Sequence, residues 1–171
     1  MRKVIAGVNM TLDGYCDHTA VLADDETHEH YNEVLRNAGT LLYGRTTYQL
    51  MEDYWPNLVE NPSGNKPMDD FAVIIDNLEK VVFSHTLENV TWNNSRIATK
   101  DLNAEISTLK RQEGKPILIG SPSLIVAAMN LGLIDEFQLC VHPVIAGNGL
   151  PLFKDTHYST GLRLIGTKTF G

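Results

Sequence analysis

The sequence predicts an α/β fold with a mainly parallel sheet covered on both faces, and three observations carry that expectation. Short apolar runs rich in β-branched residues alternate with stretches of helical spacing along most of the chain. Turn residues, mainly Gly, Ser and Thr, follow three of those runs at once. The third is bulk composition: 171 residues with 43% hydrophobic and 20% charged side chains suit one domain with a real core. Collagenous, coiled-coil and wholly disordered chains are excluded.

The elements follow in order. Residues 3–9 (KVIAGVN) read as a first buried strand, broken by turn chemistry at Leu12-Asp13-Gly14. A helix starts near Asp24, because Asp24 or Asp25 can cap, Glu26 and Glu29 suit the positive end of the dipole, and Tyr31, Val34 and Leu35 recur at helical spacing. Gly39 stops it. Thr40–Tyr43 is a second short strand, followed at once by Gly44 and a helix through Met51. Residues 53–67 (DYWPNLVENPSGNKP) carry three prolines and no periodicity, so they read as an irregular loop long enough to suspect a functional role. Met68–Asn77 is a short helix, Lys80–Phe83 a strand, and Asp101–Gln112 a helix with an Asp cap and inward Ile106 and Leu109. The strongest unit comes last: Pro116–Ile119 as a buried strand, GSPS as a turn, Leu124–Leu131 as an apolar helix and Ile134–Val144 as a strand. In such sheets ligands bind in the crevice at the carboxyl ends of the strands.

Charge and motifs narrow the function. A formal net charge of −7 has the wrong sign for neutralising nucleic-acid phosphates, so no nucleic-acid partner is expected. No run approaches ~18 consecutive apolar residues and the start lacks signal-peptide organisation, so the expected location is the cytoplasm, with no membrane partner. Cys16 and Cys140 are far apart with no CxxC spacing, which fits a reducing compartment. His28-Glu29-His30 is a poor metal site, because helical residues two apart point about 200° from each other. No metal is expected. The zinc-protease, P-loop, α/β-hydrolase and GxGxxG signatures are all missing from the sequence.

Three strand ends carry the same device: Gly44-Arg45-Thr46-Thr47, Ser84-His85-Thr86 and Gly120-Ser121-Pro122-Ser123. Glycine admits close backbone approach, helix-start N–H groups attract anions, and hydroxyls add donors. One such turn is no more than a helix cap; three at successive strand ends could hold a dinucleotide. Arg45 can pair bidentately with a phosphate, including the 2′-phosphate that separates NADP from NAD, and its competing role is a surface pair with Glu52 or Asp53. His85 can donate to a phosphate or stand solvated.

These strings resemble the dihydrofolate reductase-like superfamily, and within it the C-terminal reductase domain of the bifunctional riboflavin-biosynthesis deaminase-reductase. The resemblance spans nearly the whole chain through LDG (12–14), GRTTY (44–48), VVFSHTL (81–87), ILIGSPSL (117–124), GLIDEFQL (132–139) and HPVIAGNGLPLF (142–153). It implies a three-layer α/β/α sandwich with an antiparallel C-terminal strand, NADPH as cofactor, and hydride transfer to a C=N or C=O group of a small heterocycle such as the phosphoribosylaminouracil of riboflavin biosynthesis. By position, Gly44, Arg45, Thr46 and Thr47 resemble the family's phosphate contacts, Ser84, His85 and Thr86 its adenosine-side contacts, and Gly120, Ser121, Ser123 and Leu124 its pyrophosphate turn. The substrate side falls on Asn9, Thr11, Asp13, Asp25, His28 and the turn around Gly147, with Asp13, Thr11 and Asp25 the candidate groups beside the reacting atom.

The sequence also departs from the family. Ser121 stands where a second glycine is common, and His28 stands where dihydrofolate reductases proper place an acid, so folate turnover is not expected. The chain stops at TKTFG where the family continues into one more apolar strand, which leaves 162–170 as an exposed edge and a homodimer as the expected assembly. A non-catalytic nucleotide- or pterin-binding protein with the same cradle is the alternative.

Overall fold

The computed structural model describes residues 1–16, 19 and 24–170. In chain order the elements are β1 (Val4–Thr11), α1 (Asp25–Arg36), β2 (Thr40–Gly44), α2 (Arg45–Glu52), α3 (Trp55–Glu60), α4 (Lys66–Asn77), β3 (Glu79–Phe83), β4 (Ser95–Ile97), α5 (Leu102–Arg111), β5 (Ile117–Ile119), α6 (Pro122–Asn130) and β6 (Glu136–His142). The strands form one six-stranded sheet in the order β4-β3-β2-β5-β1-β6, and all five ladders are parallel. Parallel neighbours need long crossovers, and the helices supply most of them. Three of the connections skip strands: β1 to β2 passes β5, β5 to β6 passes β1, and β4 to β5 passes β3 and β2.

Alternation within the strands builds two cores. On one face Val4, Ala6 and Val8 of β1, Leu42 of β2 and Ile117 and Ile119 of β5 pack with Ile106 and Leu109 of α5 and Ile125 and Ala128 of α6. On the other face Leu41, Tyr43, Val82 and Leu118 pack with Leu35 of α1, Tyr48 of α2, and Phe71 and Ile75 of α4. Because successive side chains of a strand point to opposite faces, β2 feeds both cores, with Leu42 on one face and Leu41 and Tyr43 on the other. This is the expected three-layer α/β/α arrangement.

The most deeply buried charged side chain is a lysine. Lys80 of β3 is fully buried, and its Nζ donates to the carbonyl oxygens of Asp76, Leu78 and Asn93 at 2.8–2.9 Å while lying 4.4 Å from the centre of the Trp92 ring. Loss of water pulls its pKa down to about 8. Trp92 is therefore core, with its indole N–H on Asp76.

The structure corrects three expectations. The stretch 53–67 is not all loop: Trp55–Glu60 is helical, with Pro56 in the first turn where its missing N–H costs nothing, and Asn65 caps α4 two residues before the expected start. β4 went unread because three half-buried residues on a sheet edge carry no apolar run. The antiparallel C-terminal strand is not formed among the described residues. The crossover through α6 returns β6 parallel to β1, antiparallel pairing is confined to the Tyr15–Pro151 bridge, and residues 161–170 belong to no strand. No helix among the described residues is long and apolar enough to cross a membrane.

Candidate functional site

Because every ladder is parallel, all strands end on one rim of the sheet, and the turns that follow them line up there in sheet order. The turns after β3, β2 and β5 are Ser84–Thr86, Gly44–Thr47 and Gly120–Ser123; those after β1 and β6 are 11–14 and 143–149. The rim thus divides into two halves.

The first half is set by two helix starts. α1, α4 and α5 are capped by the side chains of Asp24, Asn65 and Asp101, which accept from Thr27, Met68 and Ala104 N–H at 2.8–3.0 Å. α2, starting after Gly44, and α6, starting after Ser121, have no side-chain cap. Their first-turn N–H groups, at Arg45, Thr46 and Thr47 and at Ser123 and Leu124, meet no acceptor among the described residues. The two ends touch. A Cβ at Gly44 would lie 3.6 Å from Ser123 Oγ and 3.9 Å from Leu124 Cγ, and Gly44 N–H donates to Ser121 Oγ at 2.8 Å.

Arg45 is exposed and forms no ion pair among the described residues. Its competing partner Glu52 is engaged elsewhere: its Oε1 accepts from Tyr48 Oη and from the N–H groups of Thr91 and Trp92. Arg45 is the first residue of α2, one of the two uncapped helices. Ser121 differs from the expectation. It is buried, and its hydroxyl ties β2 to β5 instead of facing the rim. Gly120 is closely packed, since a Cβ there would come within 3.1 Å of the Tyr43 ring. Ser84 Oγ closes its own turn by accepting from Thr86 and Leu87 N–H, which leaves His85 and Thr86 as the exposed members of that turn.

The second half has spent its carboxylates on itself. Thr11 is buried; its hydroxyl accepts from Tyr15 N–H at 3.0 Å and donates to Asp13 Oδ1 at 2.6 Å. Asp13 also accepts from the N–H groups of Ala146 at 3.1 Å and Gly147 at 2.8 Å. These donors, the Thr11 hydroxyl foremost, hold the carboxyl down to about 2, so it is an ionised clasp. As placed here, Thr11 and Asp13 tie the β1 turn to the β6 turn, whereas a proton donor near neutral pH needs a much higher pKa. Gly147 sits at φ +73°, a conformation glycine adopts without a steric penalty.

Asp25 accepts from Asn65 Nδ2 at 2.8 Å and so pins the start of α1 to the cap of α4. His28 turns from the rim: its Nδ1 lies 2.9 Å from the Asp24 carbonyl, and its ring stands edge-on to Trp55 and Phe71. His30 faces Tyr31 and Phe170 instead, so the two imidazoles diverge as helical spacing requires. Asn9 is where the sequence placed it, at the end of β1, but its partners Tyr31 and His142 were missed. Tyr31 reads as one more apolar helix position, and His142 as the last residue of a strand. Only the β1–β6 register, which sets Thr11 opposite His142, brings the histidine to Asn9.

With this geometry in hand, comparison with known proteins is informative. Residues 2–171 match the family model of the RibD C-terminal domain. The chain is 34% identical to the uncharacterized protein YyaP of Bacillus subtilis (strain 168) over 173 aligned residues, covering 99% of this chain and 89% of YyaP. It is 30% identical to the uncharacterized protein YwjB of the same organism, covering 99% of this chain and 93% of YwjB. Among solved structures, a Shewanella sp. PV-4 protein named for riboflavin biosynthesis superposes with a TM-score of 0.73 at 18% identity, covering 97% of this chain and 91% of its own. A pyrimidine reductase-like protein of Corynebacterium diphtheriae superposes at 0.60 with 17% identity, covering 96% and 84%. Both likenesses support the fold.

Proposed function

The chain belongs to the RibD C-terminal domain family, a reductase-like family of the riboflavin pathway, and from that premise we propose that it is an NADPH-dependent reductase acting on a small uracil-type heterocycle. The observation that carries the cofactor assignment is the pair of touching, uncapped helix starts beside an arginine with no ion pair among the described residues. Each uncapped start concentrates partial positive charge and free N–H donors, and together they suit a diphosphate. Arg45 supplies a fork that matches a 2′-phosphate in a chain whose net charge is −7. His85 and Thr86, on the neighbouring strand, suit the adenosine side.

When bound, the reduced nicotinamide supplies the hydride. The chain's own residues bind, orient and hold the loops. Asp13 fixes the Gly147 turn against the end of β1. The cytoplasm as location belongs to this proposal. So does a homodimer, for which Leu162, Leu164 and Ile165, 64–79% exposed, are the apolar surface a second copy would cover.

Titration of the protein with NADPH and NADH, in wild type and Arg45→Ala, tests the assignment. Loss of a charge-assisted pair should weaken NADPH by about 10- to 100-fold and leave NADH nearly unchanged. Equal weakening of both removes the 2′-phosphate role. The self-satisfied state of Thr11 and Asp13 favours a second reading, a binding protein that turns nothing over. Saturable NADPH binding with no oxidation against pyrimidines, pterins and quinones would select it.

A further inference from the structure

Asn9 has two neighbours on one atom. Tyr31 Oη donates to its Oδ1 at 3.0 Å, and His142 Nε2 lies 3.1 Å from the same oxygen. Tyr31 comes from α1 on one face of the sheet, whereas His142 closes β6 and is buried. Cys140 Sγ stands 3.6 Å behind Nε2. Burial pushes the Tyr31 phenol far above its ordinary range, so the hydroxyl keeps its proton and must find an acceptor. Asn9 Oδ1 is the acceptor it has among the described residues. This fixes the amide, because a flipped Asn9 would set its NH2 against the phenol and leave that proton unpaired. With Oδ1 facing both neighbours, Nε2 of His142 carries the ring hydrogen and fills the second lone pair.

The consequence lies on the far side of the amide. Asn9 Nδ2 donates to no described residue, and Asn9 itself is only half-buried at the carboxyl-terminal part of β1. We propose that Tyr31 and His142 lock Asn9 so that it presents a pure donor, an NH2 group, to the ligand at the end of β1, and that this donor selects heterocycles bearing a carbonyl or unprotonated ring nitrogen at that point. Asn9 is the specificity-determining contact, and His142 is a positioning residue that acts through it. The proposal deepens the reductase reading and rests on it for the place of the substrate.

The test uses 15N-labelled protein and 5,6-diaminouracil as probe. In the ligand-free protein His142 should be the Nε2–H tautomer, and adding 5,6-diaminouracil should move the Asn9 side-chain amide resonances. Asn9→Asp, which replaces the donor by an acceptor, should weaken the probe about tenfold or more, while NADPH affinity stays within twofold. His142→Leu should weaken the probe to a similar degree, and His142→Gln, whose amide can donate to Oδ1, should recover most of it. An Nδ1–H tautomer overturns the proposal. So does an Asn9 amide indifferent to the probe, or an Asn9→Asp protein that binds it as wild type does. NADPH titration reports on the reductase reading separately, so the two can fail independently. If His142→Leu does not fold, Tyr31→Phe, which removes the other lock, carries the same expectation for the probe.

Discussion

The rim over β2, β3 and β5 and the rim over β1 and β6 are made from the same fold and the same kinds of turn, yet they are opposite in what they leave unsatisfied. On the first, two helices begin without side-chain caps and Arg45 has no carboxylate partner among the described residues. On the second, every carboxylate described is already an acceptor: Asp13 for Thr11, Ala146 and Gly147, Asp24 for Thr27, and Asp25 for Asn65. A helix start that the chain could have capped, and elsewhere does cap, but leaves open is a standing cost in unsatisfied donors. An anion offsets that cost. A satisfied carboxylate has no such demand, and on that half the ligand contact proposed above is instead the neutral Asn9 amide.

The largest effect should come from making the first half resemble the second. Gly44→Asp places a carboxylate at the start of α2, where the backbone is extended at φ −77° and a Cβ meets only ordinary contacts, 3.6 Å at the closest. The fold should survive, because Asp caps a helix at least as well as Gly. NADPH affinity should fall by ~100-fold or more, since a like charge against phosphate costs several kcal/mol. Thermal melts and cofactor titration on the same preparation read both outcomes. A stable variant that still binds NADPH would mean that the open helix starts are not the anion site.

A smaller effect separates scaffold from contact within the first half. Ser121 supplies the acceptor for Gly44 N–H from a buried position, so Ser121→Ala strands a donor between β2 and β5 at a cost of ~1–3 kcal/mol. Denaturant unfolding should show that loss, with NADPH weakened only about as much as NADH. Strong discrimination between the two cofactors would return the serine to the ligand.

These two halves were not equally legible in the sequence. The cradle could be read because each part is local: a strand, a glycine, then a helix start, with Arg45 fixed by its place in GRTTY. Even so, local reading could not tell Ser121 as a tie from Ser121 as a donor, because its partner lies across the sheet at Gly44. In the substrate half the decisive partners are remote. Asp13 meets residues 146 and 147, and Asn9 meets His142, pairings set by the parallel register of β1 and β6 and by nothing within either segment. Carboxylates next to a strand end look catalytic when seen alone. They become clasps once their donors are known. The same holds for α3, whose surrounding prolines signal a loop until Pro56 is seen in the helix's first turn.

The clasp can be checked by acid, and its effect should be the smallest of the three because the carboxylate is exposed. The Asp13 carboxyl is held at about 2 against an ordinary 3.8, so the folded state prefers it ionised. A group with a depressed folded value contributes stability that is complete above its unfolded value and lost as pH falls through its folded value, here from about 3.8 to about 2. Asp13→Asn removes that contribution without changing shape. Urea midpoints of the two proteins should therefore differ at pH 7, with wild type the more stable by less than the Ser121→Ala loss, and should converge as pH drops from 4 toward 2. A gap that stays constant across that window would place the carboxylate outside the clasp and return it to the ligand, and with it the contrast between the two halves of the rim.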